Sequence, residues 1–142
     1  MPKQWIALAE KATKAWNDIG ANFKFEVDPS APSSIICEEL GDNAWLGLTT
    51  LRPDNNKLEI KQVLIRLNTR YKFSPPHPTT RPEIGGKPYD VYSVLLHELG
   101  HALHLGEDYE ANSKSAMRPT IKPGEVRHIT NDDVVGIKVL YP

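Results

Sequence analysis

Apolar residues recur at helical spacing through the first twenty positions: Trp5, Ile6, Leu8, Ala9, Ala12, Ala15, Trp16 and Ile19, with Lys and Glu between them and Gly20 at the stop. Intervals of three and four place them on one stripe, which predicts an amphipathic helix over about residues 3 to 19 with its tryptophans in the core. The period then changes to two. Phe23, Phe25 and Val27 alternate with Lys24 and Glu26 until Asp28-Pro-Ser-Ala-Pro breaks the run, predicting a first strand. Ser34 to Glu38 predicts a second, and Trp45 to Leu51 a further extended run. After the turn Arg52-Pro-Asp-Asn-Asn, Leu58 to Leu67 is dense enough in apolar residues for a strand buried largely on both faces.

Residues 71 to 88 hold five prolines and Gly85-Gly86, so a long irregular surface segment is expected, with His77 exposed on it. Helical spacing returns at Val91, Val94, Leu95, Leu99, Ala102 and Leu103, with Asp90 placed to cap the helix. Thr130 or Asn131 starts a last helix. Asp132 and Asp133 stand in its first turn, where the helix dipole favours acids, and Val134, Val135, Ile137, Val139 and Leu140 are available to bury it.

Composition narrows the classes without choosing among them. A chain of 142 residues with 39% apolar and 25% charged residues fits a single soluble globular domain, 1 to 142. The formal charge is -1 and the 17 basic residues are scattered, so neither nucleic acid nor an anionic membrane is an implied partner. No run of 18 apolar residues predicts a membrane span, and the first residues do not form a secretory signal. Cys37, the single cysteine, cannot form an intrachain disulfide and reads as a small core residue of its strand.

The chemistry is concentrated in His97-Glu98-Leu99-Gly100-His101, an H-E-x-x-H pattern on the predicted helix that begins near Asp90. Residues four apart share a helix face, so two imidazoles converge on one metal, and zinc is the ion this motif implies. Glu98 projects beside them, where it can take a proton from a water on the metal. A hydrolytic zinc site needs a third protein ligand. His104, seven residues from His97, lies about 10 Å further up a straight helix at about 1.5 Å per residue, too far to share the ion. The chain must therefore turn back, and Gly106, Glu107 and Asp108 stand just beyond the helix end.

The segment Tyr89-Asp-Val-Tyr-Ser-Val-Leu-Leu-His-Glu-Leu-Gly-His-Ala-Leu-His-Leu-Gly-Glu-Asp resembles the zinc helix of the metzincin metallopeptidases, in particular their matrixin branch. Ser115-Ala-Met-Arg-Pro resembles that clan's Met-turn, and Ile129 to Pro142 is similar to the matrixin carboxy-terminal helix. The resemblance implies an α+β, zincin-like fold. Its parts would be a twisted mixed sheet of about four to five strands with an antiparallel edge strand, an N-terminal helix, the zinc helix and a C-terminal helix. Residue by residue it implies His97, His101 and Glu107 as zinc ligands, Glu98 as general base, and Met117 in the core beneath the metal. The family pattern asks for Gly at 104, where this chain has His104, so His104 becomes a left-handed turn residue on the cleft wall. If the helix instead ran on to Gly106, the third ligand would shift to Asp108 or Glu110, and His104 or a more distant group is the remaining alternative. The acidic third ligand is similar to that of snapalysin-like enzymes.

The resemblance further implies a peptide or protein substrate, extended along the edge strand Trp45-Leu-Gly-Leu-Thr-Thr, with a pocket wall from Arg118 to Lys122. It implies a monomeric, secreted zinc endopeptidase with one catalytic zinc ion, and calcium is not implied. One of the acids Asp132 and Asp133 would anchor neighbouring chain, while Glu125 and His128 read as surface residues. Two other functions fit the same motif. One is a compact gluzincin-type protease whose third ligand comes from Asp132 or Asp133. The other is a zinc-binding peptide module that cleaves poorly because residues 104 and 107 are altered.

Overall fold

A computed structural model describes residues 1–28, 30–42, 45–53, 60–81 and 83–142. Helix α1, Lys3–Asn17, buries Trp5, Ala9, Ala12 and Trp16 along one stripe, and Gly20 follows it with a φ of 80°. Both tryptophans are fully buried, and each also places its indole N–H: Trp16 donates to the Leu96 carbonyl at 3.0 Å and Trp5 to that of Pro75 at 2.8 Å. The indoles therefore serve core and register together. Burial of side chains this large contributes about 1.5–3 kcal/mol each.

Strands β1 (Ser34–Glu38), β2 (Gly47–Pro53) and β3 (Ile60–Asn68) form one mixed sheet in the order β1-β3-β2. β1 runs parallel to β3 with Ile35 opposite Ile65, and β2 runs antiparallel to it with Thr49 opposite Ile65. Two short strands, β4 (Phe73–Ser74) and β5 (Tyr89–Asp90), pair in parallel as a separate ladder. The mixed α+β architecture and the antiparallel edge strand are as expected, but among the described residues the main sheet has three strands and not four to five.

The alternating run at Phe23 to Val27 accounts for part of that difference. Its alternation holds as far as Glu26, with Phe23 and Phe25 packed on the core and Lys24 and Glu26 exposed, but Val27, expected on the buried side, is exposed. Its backbone, however, pairs with a side chain. The Asn17 amide donates to the Phe25 carbonyl at 2.9 Å and accepts from its N–H at 2.7 Å, reproducing one rung of a ladder without a strand. β3 also departs from expectation: Ile65 and Leu67 are buried, whereas Leu64 and Arg66 on the opposite face are only half-buried. Its expected first residue, Leu58, and most of the predicted turn, Asp54 to Asn56, lie outside the described residues.

Asn68 ends β3 fully buried, and its amide ties the loop that leads into β2. It donates to the carbonyls of Gly41 and Trp45 and accepts from the N–H groups of Leu40 and Arg70, using all its hydrogen-bonding capacity. The proline-rich segment is less superficial than its composition suggests, because Phe73 enters the core and meets Trp5 edge to face. His77 packs half-buried on that same tryptophan ring, far from being a free surface group.

Helix α2, Val91–Ala102, crosses beneath the sheet and packs on α1 and β2. Asp90 caps it as expected, accepting from the Ser93 N–H at 3.0 Å. Helix α3, Asn131–Leu140, opens with a capping box between Thr130 and Asp133. Its burial is narrower than the sequence suggested. Ile137 and Asp133 are buried, but Val135, Val139 and Leu140 face solvent, since a helix of ten residues lying on the surface offers the core a single stripe.

Candidate metal centre

The centre is built by the way α2 ends. Leu103 is the last residue with near-helical geometry, and His104 then adopts a φ of 70°. The N–H of Leu105 bonds back to the Gly100 carbonyl at 3.0 Å and that of His104 to the His101 carbonyl at 2.9 Å. Those two bonds make a Schellman motif with His, in place of the usual Gly, at the left-handed position. Helix continuation to Gly106 is thereby excluded, and the chain folds back so that Glu107 meets the two histidines.

His97 Nδ1 lies 2.8 Å from the Ala116 carbonyl and His101 Nδ1 2.8 Å from the Leu105 carbonyl. A carbonyl can only accept, so each Nδ1 carries the proton and each neutral imidazole keeps its lone pair on Nε2. The two Nε2 atoms are 3.1 Å apart, and Glu107 Oε1 is 2.9 Å from that of His101 and 3.3 Å from that of His97. With both rings neutral, three acceptors converge with no donor among them. The second Glu107 oxygen, Oε2, is buried without a hydrogen-bond partner. Such a set repels itself unless a cation lies between its members. The separations come near the edges of about 3.3 Å that a tetrahedral ion with bonds of about 2.0 Å would require. Two imidazoles and a carboxylate are a donor set that fits zinc.

Glu98 is 5% exposed, and burial holds its carboxyl above the usual glutamate range, opposed by a hydrogen bond from Thr49. The Thr49 hydroxyl is 2.5 Å from Glu98 Oε2 and 3.0 Å from the Glu98 carbonyl oxygen. Gly47, two residues earlier on β2, makes the approach possible: a Cβ there would come within 2.9 Å of Glu98 Cγ and 3.0 Å of Val94 Cγ1. Residue order places both on the expected edge strand, Trp45-Leu-Gly-Leu-Thr-Thr, without a role of their own toward Glu98. A glycine inside an apolar extended run was the available signal for Gly47, while nothing marked Thr49.

The floor beneath the histidines is Met117, 2% exposed, whose sulfur takes the space a side chain at Gly100 would occupy. The turn carrying Met117 is fastened by Asp133, which accepts from Ser115 Oγ, from the Ala116 N–H at 3.0 Å and from the Thr130 N–H at 2.9 Å. Asp133 is therefore the acid that anchors neighbouring chain, and Asp132 stays exposed. Among the described residues, the acid whose oxygen lies with the two histidines is Glu107, not Asp132 or Asp133 as the gluzincin-type arrangement would require. Asp108 is also committed elsewhere. Its carboxylate accepts from Ser113 Oγ and from the Glu110 N–H, bonds that hold it below the usual aspartate range. Glu110 is exposed and His128 is a surface residue as expected, but Glu125 is half-buried against the buried Arg127, which sequence reading missed altogether.

Above these groups lies a cleft of about 490 Å³, with Trp45, Leu48 and Leu51 on the β2 side, Pro119 and Ile121 opposite, and His104 on the rim. An H-E-x-x-H helix beneath an antiparallel edge strand, closed by a returning carboxylate and floored by a methionine turn, defines a zincin-like peptidase domain of the metzincin class. The family model for matrixin matches residues 4–142, and the chain belongs to the matrixin family of zinc metallopeptidases. Two curated relatives from Arabidopsis thaliana are similar over 53 residues, 37% of the chain: metalloendoproteinase 2-MMP at 47% identity and metalloendoproteinase 4-MMP at 43%. The matched stretch spans 14% and 15% of their respective lengths. Among the described residues, no helix is long and apolar enough to cross a membrane.

Proposed function

We propose that residues 1–142 act as one monomeric catalytic domain, a secreted zinc endopeptidase that hydrolyses peptide bonds in an extended substrate. The observation that carries this reading is the meeting of three acceptor atoms, from His97, His101 and Glu107, beside a buried carboxylate at the base of an open cleft. His97, His101 and Glu107 would hold the metal. When bound, zinc supplies Lewis acidity, polarising a carbonyl and lowering the pKa of a water.

The remaining steps belong to the chain. Glu98 accepts a proton from the water that attacks the peptide carbonyl carbon, and gives that proton to the amide nitrogen as the C–N bond breaks. Burial favours the protonated carboxyl it forms on the way, so the group is suited to carry a proton between the two positions. The Ala116 and Leu105 carbonyls hold the imidazoles in the tautomer that leaves Nε2 free. The edge of β2 that faces the cleft offers main-chain groups to an antiparallel peptide, whatever its side chains.

Zinc quantitation on Glu107→Ala, Asp108→Ala and His104→Ala tests the ligand set. Loss of bound zinc is expected for Glu107→Ala alone; loss confined to Asp108→Ala or His104→Ala would overturn it. Cleavage of a quenched-peptide library by wild type and Glu98→Ala tests the reaction. Turnover that survives Glu98→Ala would remove Glu98 from the role of general base, whereas zinc-loaded wild type with no turnover on any peptide would remove the endopeptidase reading and favour a binding module.

A further inference from the structure

Arg127 has no part in the chemistry above, yet it is one of the few charged side chains the fold buries, at 3% exposure. Its guanidinium is spread over a single stretch of backbone. Nη1 donates to the Arg118 carbonyl at 2.6 Å and reaches that of Ala116 at 3.4 Å, and Nη2 donates to the Thr120 carbonyl. Nε lies 3.5 Å from Glu125 Oε1, while the other Glu125 oxygen accepts from the Lys122 N–H at 2.9 Å. Alternate carbonyls, at 116, 118 and 120, are thus gathered by one planar fork. The side chains of Pro119 and Ile121, in the same stretch, line the cleft.

The clamp is also tied to the zinc helix. The Arg127 N–H donates to Ser93 Oγ at 2.7 Å, and Ser93 Oγ donates to Asp90, the cap of α2, at 2.6 Å. The wall after the Met-turn is therefore held at a set distance from the helix that carries His97 and Glu98. Lysine could not do the same, because an ammonium is a point charge and cannot span three carbonyls in a plane.

We propose that Arg127 is a specificity-determining positioning residue. By pinning the carbonyls of 116, 118 and 120 it gives the Pro119–Ile121 side of the cleft one fixed width, so that substrate side chains entering there are sorted by size. The proposal rests on the peptidase reading for its consequence, though not for its geometry. The Ala116 carbonyl that meets His97 Nδ1 at 2.8 Å touches the guanidinium only at 3.4 Å and is anchored separately, because the Ala116 N–H donates to Asp133 at 3.0 Å, so His97 keeps a support outside the clamp.

The test uses Arg127→Met and Arg127→Lys in the full chain, with zinc content, hydrogen exchange and a positional peptide library that varies side-chain size at each site around the scissile bond. At one substrate position, the kcat/KM ratio between the best and worst side chain is expected to fall about tenfold in Arg127→Met, and less in Arg127→Lys. The change should enter through KM, with zinc content unchanged. The amides of Arg118 and Lys122, which donate to the Ser115 carbonyl and to Glu125 on either side of the clamped stretch, are expected to exchange faster in both variants. A merely structural role would lower all substrates in proportion. If Arg127→Met does not fold, Arg127→Lys decides the matter. Size discrimination within twofold of wild type in a zinc-loaded Arg127→Lys, or unchanged exchange at those amides, would overturn the proposal. Should wild type itself show no turnover, the peptidase reading fails separately and the exchange result still decides the clamp.

Discussion

The Thr49 hydroxyl meets Glu98 twice, 2.5 Å from its carboxylate Oε2 and 3.0 Å from its carbonyl oxygen, so strand β2 holds the proposed base as well as facing the cleft. A bond from a hydroxyl to an ionised carboxylate stabilises one orientation by about 1.5–3 kcal/mol. Thr49→Val keeps the shape and removes the donor. It is expected to lower kcat by about tenfold or more with KM and zinc content near wild type, and Thr49→Ser should restore most of the loss. A Thr49→Val enzyme with wild-type kcat would show that Glu98 is oriented by other means.

Gly100 and Met117 form a second close pair. A methyl at 100 would stand 2.3 Å from the Met117 sulfur and 3.2 Å from Trp16 Cζ2, in a region with no space to yield. Overpacking of this kind costs about 1–3 kcal/mol, against about 1 kcal/mol of helix propensity that alanine returns. Gly100→Ala should therefore melt at lower temperature and bind zinc less well. The cost should shrink in a Met117→Ala background, and a double-mutant cycle with zero coupling would contradict the contact.

Asp133 carries the Met-turn on one carboxylate with four donors, from Ser115, Ala116 and both the N–H and hydroxyl of Thr130. Asparagine has only one accepting oxygen and turns an NH₂ group toward those donors. Asp133→Asn is expected to cost about 2–3 kcal/mol in denaturant unfolding. A change below about 0.5 kcal/mol would mean that the turn is held without this anchor.

The three converging acceptors also predict a link between metal and stability. Zinc held at about 100 times its dissociation constant should stabilise the fold by about 2.7 kcal/mol, a rise in Tm on the order of 5–10 °C over chelated protein. Glu107→Ala should abolish most of that rise. Equal melting with zinc and with chelator would count against a preformed site.

Much of this was present in residue order. Trp5, Ala9, Ala12 and Trp16 marked α1 because a helix stripe is a local property, and Ser34–Glu38 is a strand within the limits the pattern set. His97 and His101 were legible for the same reason, since a four-residue interval on a helix is enough to bring two side chains together. Phe23 to Val27 misled because alternation reports which side chains are buried and says nothing of what the backbone pairs with. In this chain that partner is Asn17, six residues before the run begins.

The third acceptor shows where local reading stops. Residue order, with the family resemblance, narrowed the choice to Glu107, Asp108, Glu110 and His104, and charge and spacing could take it no further. One backbone angle, the φ of 70° at His104, turns Glu107 toward the histidines and leaves Asp108 to Ser113. The roles of Arg127, Thr49 and Asn68 were invisible for a related reason: each residue acts on backbone or side chains brought near only by folding, and a buried polar group is recognisable from its partners alone. The sequence by itself determined the elements, the H-E-x-x-H pair and the class of chemistry, all of which depend on neighbours within a turn or two. Tertiary structure alone decided the third acceptor, the orientation of Glu98 and the clamping of the cleft wall, because those depend on contacts between segments that are distant in the chain.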